Sequence, residues 1–138
     1  MGKQKILYLG NLDAKRDWGH ARDYVIAMWK ILQLKQPDDF VIATGKQYSI
    51  RQFIGFVSKK LNMKIIWKGK GLKEKGYDTI SKRNIISIDK NYIRPLDVNT
   101  LLGNASKARK KLSWKPKINI HQLIDEMISE EVKILDNE

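Results

Sequence analysis

Residues 10–24 read GNLDAKRDWGHARDY, and the organisation of the chain follows from this stretch. It comes after an apolar run at residues 6–9 that has the length and composition of a strand. Val25, Met28 and Leu32 follow it at helical spacing. We therefore expect residues 10–24 to contain a loop that joins a strand to a helix. In open α/β sheets, loops of this kind lie near strand ends and helix N-termini, where ligands bind.

Two cations in this loop, Lys15 and Arg16, favour an anionic ligand. Arg16 is the more specific of the two, because a planar guanidinium donates two parallel hydrogen bonds to a phosphate or carboxylate. The alternative is structural. Arg16 and Asp17 would then form an exposed ion pair, which contributes little stability, and Trp18 would pack in the core. The loop residues alone leave both interpretations open.

The composition is that of a basic protein with a core. The 138 residues suit one domain, and 42% hydrophobic residues suffice to bury a core. A formal net charge of +12, from 27 Lys and Arg against 15 Asp and Glu, indicates either an anionic partner or a lysine-rich organism, and composition does not separate the two. The anionic partner would be nucleic acid or a small phosphorylated ligand. The excess is concentrated in residues 59–90, and such a cluster is usually a solvated face.

Several kinds of site have no support in the sequence. There is no cysteine, which removes disulfides and thiolate metal sites and suits a reducing compartment. His20 and His121 stand far apart without a ligand cluster, so no metal site is expected. No apolar run is long enough for a membrane span, and MGKQK at the N-terminus is not a signal-peptide pattern. We expect a cytoplasmic protein without membrane contact.

Strand-like and helix-like segments alternate, which predicts an α/β fold. Helices are expected at about 18–34, from a Ser49–Gln52 capping box to about 61, at 107–112, and from an Asn119–Gln122 cap onward. Strands are expected at 40–44, 64–68 and 85–88. We expect residues 69–83 to form a mobile loop. Its Gly69-Lys70-Gly71 is not a dinucleotide-binding motif, because Glu74 occupies the position of the third glycine.

A second candidate binding loop lies at residues 91–98. Pro95 holds Arg94 away from helical geometry and so presents the guanidinium at a defined angle. Asp97 could orient that guanidinium or accept hydrogen bonds from sugar hydroxyl groups. The alternative is a salt bridge that merely closes the loop.

Several longer sequence words match one family. They are RDWGHA at 16–21, DFVIATG at 39–45, YSIR at 48–51, YIRP at 92–95 and LSWKP at 112–116. On these words the chain resembles the GDP-mannose 4,6-dehydratase family of extended short-chain dehydrogenase/reductases. The resemblance implies an α/β fold, the C-terminal substrate-binding part of such an enzyme, lacking most of the Rossmann domain. Residues 1–138 would then form a single nucleotide-sugar-binding domain.

The resemblance also implies a chemistry for the complete enzyme. Its N-terminal Rossmann domain holds NADP, which oxidises the hexose of GDP-mannose at C4; water leaves across C5 and C6, and the hydride returns to C6. Rigid binding of the GDP end fixes the sugar relative to the nicotinamide. The product would be GDP-4-keto-6-deoxymannose, a precursor of deoxyhexoses such as GDP-fucose.

Site residues follow from the same resemblance. Those implied to bind substrate are Gly10, Asn11, Lys15, Arg16, Arg94 and Asp97. Arg16 and Arg94 would contact the diphosphate or ribose, and the first three would line the guanosine side. Asp97 stands where the family usually has glutamate in R-P-x-E, which withdraws the carboxylate by one methylene.

The chain lacks the family's glycine-rich fingerprint and its Tyr-x-x-x-Lys motif. We therefore expect no catalytic and no cofactor-binding residue here, and a chain that is catalytically incomplete by itself. An N-terminal half on another chain, or a homo-oligomer, are possible partners. Two other hypotheses stay open: a stand-alone basic module for nucleic acid or another polyanion, which the resemblance does not favour, and a regulatory partner of the full-length enzyme.

Overall fold

The computed structural model describes residues 4–96 and 98–136, which form two small mixed β-sheets and four helices. The larger sheet has the strand order β1-β6-β5-β4. These strands span Leu7–Leu9 (β1), Ile65–Lys68 (β4), Lys75–Asp78 (β5) and Arg83–Ile88 (β6). Strands β1 and β6 run parallel, and the other two pairs are antiparallel.

The smaller sheet has the order β3-β2-β7. Its strands are Lys15–Asp17 (β2), Gln47–Ser49 (β3) and Thr100–Leu101 (β7). Strand β2 pairs antiparallel with β3 and parallel with β7. The stretch 10–24 was expected to be irregular between β1 and the first helix, so for residues 15–17 the prediction was wrong. Lys-Arg-Asp has little strand propensity, and the partners that order it are distant in sequence.

The four helices are Ala21–Leu32 (α1), Ile50–Lys60 (α2), Ser106–Lys111 (α3) and Ile120–Asp136 (α4). All four confirm sequence predictions to within a few residues. Within the described ranges, no helix is long and apolar enough to cross a membrane.

Both predicted capping boxes are confirmed. The Gln52 backbone N–H donates to Ser49 Oγ at 3.1 Å, and the Ser49 N–H donates to Gln52 Oε1 at 2.8 Å. Asn119 receives the N–H groups of His121 and Gln122 and donates its own N–H to Gln122 Oε1. These bonds satisfy backbone donors that a helix N-terminus otherwise leaves unpaired.

Residues 40–44 form no strand, so that prediction was wrong. The segment has the composition of a buried strand, but a strand also needs a hydrogen-bonding neighbour, and the described part of the chain supplies none to it. Residues 69–83 depart from the predicted loop in the opposite direction. They contain a 3₁₀ turn at Gly71–Lys73 and the whole of β5, which is ordered by β4 and β6 on its two sides.

Asp78 closes the β4–β5 hairpin. Its buried carboxylate accepts the backbone N–H groups of Lys64, Ile80 and Ser81 at 3.0 to 3.3 Å. Hydrogen bonds from the Ser81 hydroxyl and backbone, followed by those from the other two N–H groups, lower the pKa of Asp78 to about 2. The hairpin is therefore held at the end opposite its 3₁₀ turn.

A small core joins α1 to α3 and to the segment before α4. Its buried members are Ala27, Ala43, Ala105, Ala108, Leu112 and Trp114. Buried Asp23 of α1 connects these elements, because its Oδ2 accepts the N–H groups of Lys117 and Ile118, each at 2.9 Å. The backbone carbonyl of the same residue accepts Trp114 Nε1–H at 2.9 Å. One side chain thus fixes where α4 begins relative to α1.

We predict that Asp23→Ala lowers the free energy of unfolding by about 2 kcal/mol, because two partly buried N–H groups lose their acceptor. Urea denaturation of the 138-residue chain measures this. Asp39→Ala is the matched control: that side chain is exposed, and its removal changes stability by less than about 0.5 kcal/mol. Equal denaturation midpoints for the two variants would contradict the prediction.

Candidate functional site: a cavity between two arginines

A cavity of about 240 Å³ lies where the end of β1, strand β2 and the segment after β6 meet. Its lining residues are Leu9, Gly10, Asn11, Ala14, Arg16, Ile50, Tyr92 and Arg94. Four of the six residues predicted for the site are therefore brought together here: Gly10, Asn11, Arg16 and Arg94. Arg16 lies on strand β2 and Arg94 in the segment after β6, and both line this cavity.

A second cavity, of about 500 Å³, adjoins the first and shares Gly10, Asn11 and Arg94 with it. It extends over residues 12–13 toward the 3₁₀ turn of the β4–β5 hairpin. The remaining lining residues are Leu12, Asp13, Gly71, Leu72, Glu74, Ile88, Ile93, Pro95 and Asn99. An elongated ligand can occupy both cavities at once, with the two arginines near one end.

The position of Arg94 depends on a close backbone approach at Gly10. A Cβ atom on Gly10 would lie 2.2 Å from the carbonyl oxygen of Tyr92, so only glycine fits. The parallel pairing of β1 and β6 extends to a hydrogen bond from Asp89 N–H to the Leu9 carbonyl at 2.9 Å. A 3₁₀ turn at Lys90–Tyr92 follows, and Arg94 comes two residues after it.

Arg16 is half-buried and held by backbone acceptors. Its Nη1 donates to the carbonyl of Lys15 at 2.8 Å and to the carbonyl of Val98 at 2.6 Å. These bonds join β2 to the segment that follows Arg94 and fix the direction of the guanidinium. A group oriented in advance loses less conformational entropy when it binds a ligand.

Lys15 and Asp97 are not brought into this cavity by any described contact. Lys15 precedes Arg16 on β2, and successive side chains of a strand point to opposite faces. It is not among the residues that line either cavity. Asp97 lies outside the described residues. The substrate-binding roles of both stay predictions.

Trp18 and Asp17 have structural roles, as in the alternative interpretation of residues 10–24. The Trp18 ring stacks on Phe53 with the centroids 4.5 Å apart, and its Nε1–H donates to the Tyr48 carbonyl at 3.3 Å. The Asp17 carboxylate accepts hydrogen bonds from both N–H and hydroxyl of Thr44 and from the Gly45 N–H, at 2.6 to 2.9 Å. Trp18 and Asp17 therefore stabilise the scaffold beneath the cavity.

An ion-pair cluster that the sequence did not indicate lies beside the larger cavity. Arg51 Nε donates to Asp13 Oδ1 at 2.9 Å, and Arg51 Nη1 donates to Glu74 Oε1 at 2.7 Å. The same guanidinium lies 4.7 Å from the centroid of the Trp67 ring. The hydrogen bond from Arg51 holds the pKa of Asp13 below its usual range. These residues come from three distant segments, so no sequence spacing could have revealed the cluster.

The other titratable groups of the described residues form no metal site, and several of them have structural roles. Across residues 4–96 and 98–136, no group of three or more His, Asp or Glu side chains could hold a metal ion. His20 is the N-cap of α1, where its Nδ1 accepts the Arg22 N–H at 3.0 Å. All ten Lys and Arg residues of 59–90 are exposed, spread over the end of α2, the β4–β5 hairpin and its flanks, as expected for a solvated face.

Comparison with known proteins gives a consistent result. A sequence model described as GDP-mannose 4,6 dehydratase matches residues 1–127. The chain is 46% identical to the GDP-mannose 4,6 dehydratase of Dictyostelium discoideum over 99% of its length, and 46% identical to that of Vibrio cholerae over 96%. It is 42% identical to the human enzyme over 98% of its length. The chain spans 36 to 38% of the length of these relatives.

Solved structures show the same fold at low sequence identity. The UDP-glucose 4-epimerase of Thermotoga maritima superimposes with a TM-score of 0.70 at 18% identity, covering 94% of this chain and 36% of the epimerase. RMD from Pseudomonas aeruginosa, solved with NADPH, gives a TM-score of 0.63 at 18% identity, over 88% of this chain and 34% of that protein. The fold is therefore that of about a third of such enzymes.

We predict that Gly10→Ala displaces the 92–94 segment and costs about 1–3 kcal/mol of stability, because the added methyl overlaps the Tyr92 carbonyl. Hydrogen exchange should accelerate in residues 89–95. Gly55→Ala is the control: its Cβ meets nothing within 4 Å on α2, so stability should rise by up to about 1 kcal/mol. Unchanged exchange in residues 89–95 of the Gly10 variant would show that this contact does not position Arg94.

Proposed function

The chain belongs to the GDP-mannose 4,6-dehydratase family, and from that premise we propose that it binds the GDP end of GDP-mannose. The observation that carries this proposal is that Arg16 and Arg94 line one cavity. A diphosphate carries about two negative charges at neutral pH, and charge-assisted contacts to arginine are among the strongest hydrogen bonds in proteins. The whole chain, residues 1–138, acts in this proposal as one nucleotide-sugar-binding domain.

The two cavities suggest the direction of the ligand. The diphosphate lies between Arg16 and Arg94, and the nucleoside extends over Gly10 and Asn11 into the larger cavity. The missing side chain of Gly10 lets the Tyr92 backbone pack against this shared wall. Asp97 is proposed as an acceptor for the ribose hydroxyl groups, and Lys15 as a contact on the guanosine side. The cytoplasmic location stays a prediction.

The hydro-lyase activity belongs to the complete enzyme in this proposal. NADP would there supply the oxidation at C4 and the return of hydride to C6. Residues 69–74 do not fit a dinucleotide: Gly69 and Gly71 lie in the turn of a β-hairpin, whereas the dinucleotide motif joins a strand to a helix N-terminus. The contribution of this chain is therefore to bind the nucleotide and to position the sugar.

An exposed apolar stripe on helix α1 is evidence for a partner that carries the rest of the enzyme. Residues at i, i+3, i+4 and i+7 form an apolar stripe on its outer face, each 59 to 79% exposed: Val25, Met28, Trp29 and Leu32. The opposite face packs Ala27, Tyr24 and Ile31 into the core. A helix that is apolar on both faces is normally buried on both. We propose that the N-terminal segment of the family covers this stripe.

The segment at 40–44, which pairs with no strand in the described residues, is further evidence for the same partner. It has the sequence of a buried strand, and Val41 is 53% exposed. A parallel sheet edge in the N-terminal segment would supply the missing hydrogen bonds. The Dictyostelium and Vibrio relatives contain further sequence, since this chain matches only 38% of each. The segment would be present on another chain or in a longer form of this one.

We predict that the chain binds GDP and GDP-mannose saturably, and that Arg94→Gln weakens GDP binding at least about tenfold, because a charge-assisted contact is lost. Isothermal titration calorimetry measures this, with Arg83→Gln, exposed and remote from both cavities, as the control. Adding NADP should give no turnover of GDP-mannose by the chain alone.

Three outcomes of this titration contradict the proposal. The first is the absence of GDP binding, and the second is equal affinity in the Arg94 and Arg83 variants. The third is tight oligonucleotide binding with a steep salt dependence, which would instead favour a polyanion-binding module.

We predict that the N-terminal segment of the Vibrio cholerae relative, co-expressed with this chain, co-purifies with it, and that Trp29→Glu abolishes the complex. A charge in the middle of the apolar stripe would be buried without a partner. Size-exclusion chromatography detects the complex, and Lys35→Glu, exposed beyond the end of α1, is the control. Self-association that Trp29→Glu removes, without capture of the segment, would identify a second copy of this chain as the occupant.

A further inference from the structure

Arg51 joins the two walls of the larger cavity. It is the second residue of α2, and its backbone N–H donates to the Leu12 carbonyl at 2.9 Å. Its guanidinium makes two hydrogen bonds to each of two carboxylates. The pair with Asp13 measures 2.9 and 3.2 Å, and the pair with Glu74 measures 2.7 and 3.2 Å. Asp13 and Glu74 both line the cavity. Asp13 binds the Nε and Nη2 edge of the guanidinium, and Glu74 binds the Nη1 and Nη2 edge.

This contact joins the wall that carries Glu74 to α2. Residues 69–74 form the turn of the β4–β5 hairpin, with Gly69 and Gly71 at positive φ. The turn's own backbone bonds are local, from Lys73 N–H to Lys70 and from Glu74 N–H to Gly71. The bond from Ile88 N–H to the Glu74 carbonyl is long, at 3.4 Å. The Glu74 side chain is only 17% exposed, so its pair with Arg51 is less screened than an ordinary surface ion pair.

Arg51 also offsets part of the negative charge of Asp13 and Glu74 at the edge of the proposed anion site. Without it, two carboxylates would face a ligand that is itself negative. The guanidinium stacks on Trp67 at 4.7 Å, which limits it to one plane. A lysine at this position keeps one positive charge but cannot donate to two carboxylates in the fixed geometry of a guanidinium.

We propose that Arg51 is a positioning residue that sets the width of the larger cavity, and through it the affinity for the nucleoside end of the ligand. This inference rests on the proposed function, that of a site for a nucleoside diphosphate. Arg51 holds Asp13 and Glu74 at a fixed separation, so that the 71–74 turn and the 10–13 loop face each other. The diphosphate end, between Arg16 and Arg94, is independent of this clamp.

The closing experiment compares GDP with inorganic pyrophosphate on the chain and on Arg51→Lys. We expect GDP affinity to fall about three- to tenfold, the loss of part of one charge-assisted pair, while pyrophosphate affinity changes less than about twofold. Glu74→Gln should give the same split, and the double variant should lose no more than either single one, because both changes release one clamp. Arg83→Lys serves as the control.

Hydrogen exchange gives a readout that needs no ligand. Residues 69–74 should exchange faster in Arg51→Lys than in the unchanged chain, with β6 unaffected. Unaltered exchange at 69–74 overturns the clamp whatever the ligand proves to be. An equal fall for GDP and pyrophosphate overturns it as well, since that reports general loosening. Absence of GDP binding by the unchanged chain refutes the proposed function, whereas GDP binding that Arg51→Lys leaves intact refutes this inference alone.

Discussion

The contact between the Gly10 backbone and the Tyr92 carbonyl is the constraint on which the candidate site depends. It brings the end of β1 against the segment after β6, and so places Arg94 beside Arg16. The parallel pairing of β1 with β6 creates the approach, and the missing Cβ of Gly10 permits it. In such a site the two cations lie on ordered backbone: Arg16 on strand β2, and Arg94 in the segment that follows β6 and its 3₁₀ turn. Two residues of like charge thereby line one cavity.

Around that contact, carboxylates act as structural acceptors. Asp23 receives two backbone N–H groups where α4 begins, Asp17 receives those of Thr44 and Gly45, and Asp78 receives three at the hairpin. In a chain of net charge +12, these acids are placed where buried or half-buried donors need them. The Lys and Arg residues of 59–90 are exposed, and Arg16 and Arg94 line the cavity at the end of β1.

The outer face of α1 and the segment 40–44 both lack a packing or pairing partner within the described residues. A helix with an uncovered apolar stripe and a strand-like segment without a neighbour each represent one side of an interaction. Both features are explained if the chain corresponds to about a third of a larger enzyme, the share by which it matches its relatives. The three strands around the candidate nucleotide site, β1, β2 and β6, all lie within the described residues.

By itself, the sequence determined the features that depend on near neighbours. The four helices and the caps at Ser49 and Asn119 follow from local periodicity and side-chain chemistry, and the longer words identified the family. Tertiary structure decided what depends on distant partners. Strand β2 is ordered by β3 and β7, and residues 40–44 have no paired strand among the described residues. Arg51, Asp13 and Glu74 come together from three separate segments. Hydrogen bonds between strands and ion pairs across a cavity have no sequence period, so only the folded chain could reveal them.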